Sequence, residues 1–279
     1  MLKREVIKPQ IEAYLTERGI SQNFLANLVG ISGATISKML SGDWEDISLS
    51  MWQRVWMEVR PVCDGFKVIE TVNMDAINQM CIDAKSNSKL LSVIGYPGAG
   101  KTVSLKFFER ENPNSYRIEC KKAMRPRQFL AEILKRMGVK FSGTVYEMVD
   151  RISLELIIRE KPVLLIDEAG KLSDAALLYL HDIRDNTEGN AGIVMAGVDY
   201  FRQRFLKEEA KHPLRQKPGI PEFYSRVMDW QELRRPTKAE IKAIAQANSY
   251  ESDLQSLTTK RDFRAIRNEI LQERLSPNK

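Results

Sequence analysis

Cysteine is scarce in this sequence and follows no pattern. Cys63, Cys81 and Cys120 are odd in number, widely spaced and include no C-x-x-C pair. Neither a disulfide framework nor a thiolate zinc site is therefore expected, and a reducing cytoplasm is the simplest setting. Long apolar runs are missing too. No window approaches the roughly 18 consecutive apolar residues of a membrane span, and the opening MLKREVIKPQ lacks the apolar stretch of a signal peptide. No membrane partner is expected. Internal repeats and low-complexity tracts are also lacking, which excludes a repeat array.

The chain has 279 residues, enough for one full α/β core and a smaller unit besides. Its 43 Lys and Arg against 37 Asp and Glu leave a net charge of +6, which favours a polyanionic partner without identifying one.

Residues 1–60 read as short helices with no strand signal: Ile7, Ile11 and Leu15 recur at helical spacing, as do Phe24, Leu25, Leu28 and Val29. Pro61 and Gly65 interrupt that pattern, which places a linker over 61–75. From 76 to 235, helices and apolar strands alternate. Helices are expected at 76–84, from Lys101, and at 127–137, 145–158 and 175–184; strands are expected at 90–94, 115–120, 162–166 and 192–196. Short, continuously apolar strands alternating with helices imply a parallel sheet covered on both faces. Residues 236–279 carry helical patterns only and read as a small helical lid.

Gly95-Tyr96-Pro97-Gly98-Ala99-Gly100-Lys101-Thr102 fits G-x-x-x-x-G-K-[ST] between an apolar strand and a helix start. Gly95, Pro97, Gly98, Ala99, Gly100 and the following Val103 would wrap the phosphates of ATP. Lys101 would reach the outer phosphates, and Thr102 would ligate Mg2+. Asp167 ends the strand Leu164-Leu165-Ile166 at the carboxyl edge of the sheet, where it would share the magnesium shell with Thr102. Glu168 would polarise a water for attack on the γ-phosphate, making hydrolysis the expected reaction.

The pair Asp167-Glu168 and the helical lid resemble the AAA+ ATPase family, an α/β P-loop NTPase fold. Two later segments are similar to family motifs. In Phe223-Tyr224-Ser225-Arg226-Val227, the resemblance makes Arg226 the arginine that reaches a neighbouring subunit's γ-phosphate. In Asp262-Phe263-Arg264-Ala265, it makes Arg264 the arginine that closes over nucleotide in cis. Val198 departs from the pattern, standing where the family usually has a polar residue that orients the attacking water; Asp199 is an imperfect substitute. Within AAA+, the chain resembles the transposition protein B family of phage Mu and related transposons over nearly its whole length. The features that carry this are 31–37, 95–102, 165–169, 223–227 and 237–245. The resemblance implies a homo-oligomer, as an ATP-dependent helical filament or a ring, on double-stranded DNA. It also implies a transposase as partner and a bacterial or phage-encoded origin.

Residues 22–40 have the spacing of a helix-turn-helix. Ala26 is small at the helix crossing, Gly30 makes the turn, and Leu25, Val29, Ile31, Ile36 and Met39 fill the core. Ser32, Thr35, Ser37 and Lys38 would face DNA, with no Arg, Asn or Gln for bidentate base reading, so little sequence preference is expected. Lys121, Lys122, Arg125 and Arg127 form a basic loop after the second strand; in filament-forming relatives the equivalent loop lines the DNA channel. The Lys-, Arg- and Pro-rich stretch 207–221 reads as a long loop. Three other functions fit parts of this pattern: a helicase-loader-like AAA+ protein, an ATP-gated operator-binding regulator, and, least well, a phosphotransferase.

Overall fold

The computed structural model describes residues 4–59 and 65–275. Four helices open the chain: α1 (Arg4–Arg18), α2 (Gln22–Val29), α3 (Gly33–Ser41) and α4 (Leu49–Val59). Ser21 and Ser32 cap α2 and α3, each hydroxyl accepting the backbone N–H three residues on. Gly30 ends α2 in the left-handed region at φ 75°, and the two helices meet at 116°. Their apolar faces enclose Ile7, Ile11, Leu25, Leu28, Ile36, Met39 and the fully buried Trp52.

The core follows as α5 (Val72–Asn87), β1 (Leu90–Ile94), α6 (Lys101–Glu111), β2 (Ser115–Glu119), α7 (Pro126–Arg136), α8 (Val145–Ile157), β3 (Val163–Asp167), α9 (Asp174–Asn186), β4 (Gly192–Gly197), α10 (Asp199–Glu209), α11 (Ile220–Ser225) and β5 (Asp229–Glu232). The five strands form one parallel sheet in the order β2-β3-β4-β1-β5. Strand alternation divides the core into two layers. Leu164, Ile166, Ile193 and Met195 pack under α7 to α9, whereas Val163, Leu165, Val194 and Ala196 pack under α5 and α6.

The last unit is α12 (Lys238–Ala247), α13 (Leu254–Thr258) and α14 (Phe263–Leu275). A capping box, with Thr237 and Glu240 exchanging hydrogen bonds, starts α12.

Several expected boundaries move. α5 begins at Val72 rather than 76, capped by Thr71. Of the expected linker, 61–64 lie outside the described residues, as does Cys63. The rest is structured: Phe66 and Ile69 pack on the C-terminal helices, and Lys67 exchanges two backbone hydrogen bonds with the Asn248 side chain. The expected loop at 207–221 is instead the end of α10, a 3-10 turn at Pro213–Arg215 and the start of α11. The edge strand β5 and the short helix α13 have no counterpart in the sequence pattern, because Asp-Trp-Gln-Glu is polar and only half-buried. Cys81 and Cys120 are buried free thiols.

The N-terminal unit rests on the core. Asn27 donates to the Gly138 carbonyl at 2.9 Å, Glu58 pairs with Arg136 at 3.1 Å, and Arg18 pairs with Glu109 at 3.0 Å.

The approach of α5 to the sheet is set at Gly192, where an added Cβ would lie 2.3 Å from the Ala84 carbonyl oxygen. Backbone cannot yield there as a side chain would. Gly192→Ala is expected to destabilise the core by about 1–3 kcal/mol or more, read as a lowered urea midpoint at unchanged m-value.

Candidate functional site

The loop between β1 and α6 folds as its glycines dictate. Gly98 and Gly100 lie at φ 84° and 92°, a region that costs side-chain-bearing residues strain, and such turns point successive N–H groups into an anion-binding concavity. Gly95 and Ala99 are buried, Pro97 is exposed, and Val103 on the first turn of α6 is 40% exposed. Lys101 is buried and donates from Nζ to the Gly95 and Tyr96 carbonyls at 2.7 and 3.0 Å, so its ammonium is held at the mouth of the loop. Burial lowers its pKa, an effect opposed by the charges of Glu168, Asp167 and Asp199 and reinforced by Arg264.

Strand parity brings the acidic half to the same place. Val163, Leu165 and Asp167 project from one face of β3, the face covered by α6, so Asp167 emerges beside Thr102. Its carboxylate is 1% exposed. Oδ2 accepts from Arg117 Nη1 at 3.1 Å, while the buried Oδ1 accepts no hydrogen bond. Burial pushes this carboxyl above its ordinary pKa, against the pull of Arg117 and the Thr102 hydroxyl. A buried carboxylate oxygen without a partner, next to a hydroxyl and a phosphate-loop lysine, suits an octahedral cation with its water shell. Thr102 and Asp167 therefore fit the expected Mg2+.

Glu168 stands at φ 58°, in the left-handed region; its side chain is one-third exposed and lies 3.4 Å from Lys171 Nζ. Val198 precedes α10 in extended conformation. Asp199 is close enough to act on Lys101 and lines a pocket of about 260 Å³ with Gly95, Tyr96, Glu232, Leu233 and Arg235. The C-terminal helices reach the loop directly: Phe263 N–H donates to the Gly98 carbonyl at 3.1 Å, and Arg264 follows, itself exposed, on the first turn of α14. Arg226 sits elsewhere. It caps α11, half exposed, with Asp185 at 3.5 Å as its ion-pair partner.

The two expected DNA-facing groups differ in character. On α3, Ser32 bonds Thr35, Ser37 donates to Gln22, and Lys38 is paired with Asp43 and Asp46 at 3.6 and 3.4 Å. After β2, by contrast, Lys121, Lys122, Arg125 and Arg127 are all exposed, and among the described residues none of them makes an ion pair.

Two features went unread in the sequence. Arg117 is buried against Asp167, although the alternation Tyr-Arg-Ile-Glu in β2 already placed it on the α6 face. Arg235 stacks 4.0 Å over the Tyr96 ring, a contact between distant segments that no local pattern signals.

An AAA domain is matched over residues 84–205, from the end of α5 to α10. A Mu-like prophage DNA transposition protein B of Haemophilus influenzae is 22% identical over 256 residues, covering 89% of this chain and 87% of that protein. The AAA domain and the curated relatives support a transposition protein B-like AAA+ family. The ATP-dependent target DNA activator B of Escherichia phage Mu is 23% identical over 228 residues, covering 78% of this chain and 70% of its own length. Among solved structures, a DNA replication initiation factor matches at a TM-score of 0.46 and 12% identity, over 75% of this chain and 63% of that one. With its AAA domain and five-stranded parallel sheet, the chain has an α/β P-loop NTPase fold with helical units at both ends. Among its described residues, no single helix is long and apolar enough to cross a membrane.

The closeness of Asp262 to the loop yields a prediction. A Cβ at Gly98 would meet the Asp262 side chain at 2.5 to 3.0 Å, at a φ that disfavours any side chain. Gly98→Ala is expected to lift α14 from the loop and weaken nucleotide binding about tenfold or more, measured by titration with a fluorescent ATP analogue.

Proposed function

We propose that this protein is an ATP-dependent, largely sequence-nonspecific DNA-binding regulator of transposition. It assembles on target double-stranded DNA, recruits and stimulates a transposase, and leaves the DNA when ATP is hydrolysed. The observation that carries this reading is the similarity, over 89% of the chain, to a transposition protein B, whose phage counterparts are named ATP-dependent target DNA activators.

Each part of the chain has a role in this reading. Residues 1–60 form a helix-turn-helix unit, 76–235 the ATPase core and 236–279 the lid. The amides of Gly95 to Thr102 and the Lys101 ammonium bind the phosphates, with Arg264 closing from the lid. Thr102 and Asp167 hold Mg2+, which neutralises charge on the outer phosphates when bound. Glu168 accepts a proton from the attacking water and orients it. With apolar Val198 in place of a polar orienting group, hydrolysis is slow and depends on stimulation by DNA or a partner. Arg226, exposed and, among the described residues, ion-paired only with the half-exposed Asp185, reaches the site of the next subunit. An arginine supplied in this way is worth about a thousandfold or more in rate, so assembly and hydrolysis are coupled.

The DNA contact is assigned first to Lys121, Lys122, Arg125 and Arg127, which run from the turn after β2 into the first turn of α7. These four cations are free to neutralise phosphates, whereas Lys38 on α3 already faces two carboxylates. Backbone contacts of this kind give affinity that falls steeply with salt.

Fluorescence anisotropy with a random-sequence duplex tests the proposal. Binding is expected to be about tenfold or more tighter with ATP than with ADP, to weaken from 50 to 200 mM salt, and to lose its ATP dependence in Lys101→Ala. Equal affinity with ATP, ADP or no nucleotide would overturn the switch, and a single protected palindrome in a footprint would favour an operator-binding regulator. Stimulation of a replicative helicase without effect on strand transfer would point to helicase loading.

A further inference from the structure

A row of buried and half-buried charges connects the N-terminal unit to Asp167. Arg18, the last residue of α1, pairs with Glu109 near the end of α6 at 3.0 Å. Glu109 accepts the Arg117 backbone N–H at 3.0 Å, and its second oxygen lies 3.7 Å from Arg117 Nε. Arg117 reaches Asp167 at 3.1 Å and the exposed Glu119 at 3.5 Å. The side chains of Arg18, Glu109, Arg117 and Asp167 are 15%, 9%, 7% and 1% exposed. They alternate in sign and come from four elements: α1, α6, β2 and β3.

On the surface such a row would be worth little, because water screens each member. Inside the protein, each ion depends on its neighbours, and removing one leaves an uncompensated charge. Glu109 is ion-paired with two cations, Arg18 and Arg117, and Arg136 acts on it from farther away. Arg117 is shared in turn between two buried carboxylates, Glu109 and Asp167. The pairing of Arg18 with Glu109 therefore governs how much of the Arg117 charge is left for Asp167.

We propose that Arg117 is a positioning residue for Asp167 and that Arg18 sets its strength, so that docking of the N-terminal unit on α6 weakens the hold of Asp167 on a nucleotide-bound magnesium ion. This rests on the reading above that Thr102 and Asp167 hold that ion. With Arg18 in place, Glu109 is balanced and the Arg117 guanidinium stays on Asp167 Oδ2, reducing the net charge offered to a cation. With Arg18 withdrawn, Glu109 draws the guanidinium to itself and Asp167 regains its full charge. Linkage makes the effect reciprocal: Mg2+-nucleotide loosens α1 from α6 by the same factor.

The test uses the full chain and a fluorescent ATP analogue, titrated with Mg2+. Arg18→Ala is expected to lower the Mg2+ midpoint about fivefold while leaving affinity in EDTA unchanged, and Arg18→Lys is expected to restore the native midpoint. In an Arg117→Met background, Arg18→Ala should have no further effect on the midpoint. A native Mg2+ midpoint in a natively folded Arg18→Ala protein overturns the proposal. If Arg18→Ala or Arg117→Met fails to fold, amide exchange in α1 of the native chain decides: faster exchange with Mg2+-nucleotide than with nucleotide in EDTA supports the linkage, and equal exchange overturns it. Asp167→Asn separates the two levels. If Asp167→Asn leaves the Mg2+ midpoint native, the reading of the metal site is wrong; if it shifts the midpoint and Arg18→Ala does not, only the linkage is wrong.

Discussion

A carboxylate at the end of a central strand, shut off from water, has to be balanced by its surroundings, and much of this protein is arranged around that demand at Asp167. Parallel β3 turns its odd-numbered side chains toward α6, which puts the acid against the helix that begins at Lys101. One oxygen is satisfied by Arg117 from the neighbouring strand; the other is left open. Charge balance at this point ties together the phosphate loop, the sheet and the helix that bears Glu109.

The same balance explains why the helical unit at the N-terminus is more than an appendage. Its α1 contributes Arg18 to the row of charges, and its α2 and α4 hold Gly138 and Arg136 at the far end of α7. At the other end of the chain, α14 rests on the phosphate loop through Phe263 and Asp262. Both helical units touch elements that frame the nucleotide site, one through ions and one through backbone, so each is in a position to report on it.

The parts of the site that were legible in the sequence are local ones. The span 95–102 announced itself because a phosphate loop needs glycines, a lysine and a hydroxyl at set spacing next to an apolar strand, and Asp167-Glu168 followed from the run that ends in them. Strand β1 and the start of α6 fall where the pattern put them. β5 was invisible because an edge strand with half-exposed polar residues lacks the apolar run of a buried one. Thr71 and its helix were hidden behind a break that Pro61 and Gly65 suggested would last longer. The pairing of Lys38 with Asp43 and Asp46 depends on the turn after α3, and the Arg18–Glu109–Arg117 row on three separate elements, so spacing along the chain could reveal neither.

Glu168 sits in a backbone region that disfavours side chains by about 1 kcal/mol or more. Glycine or asparagine would be more comfortable there and would hold the turn better. Variants selected for thermal stability alone would therefore tend to lose this carboxylate, and with it the group proposed to activate water. Under the role proposed for Glu168, the chain accepts a weaker turn in exchange for chemistry, so improving the fold and preserving the proposed switch pull in opposite directions.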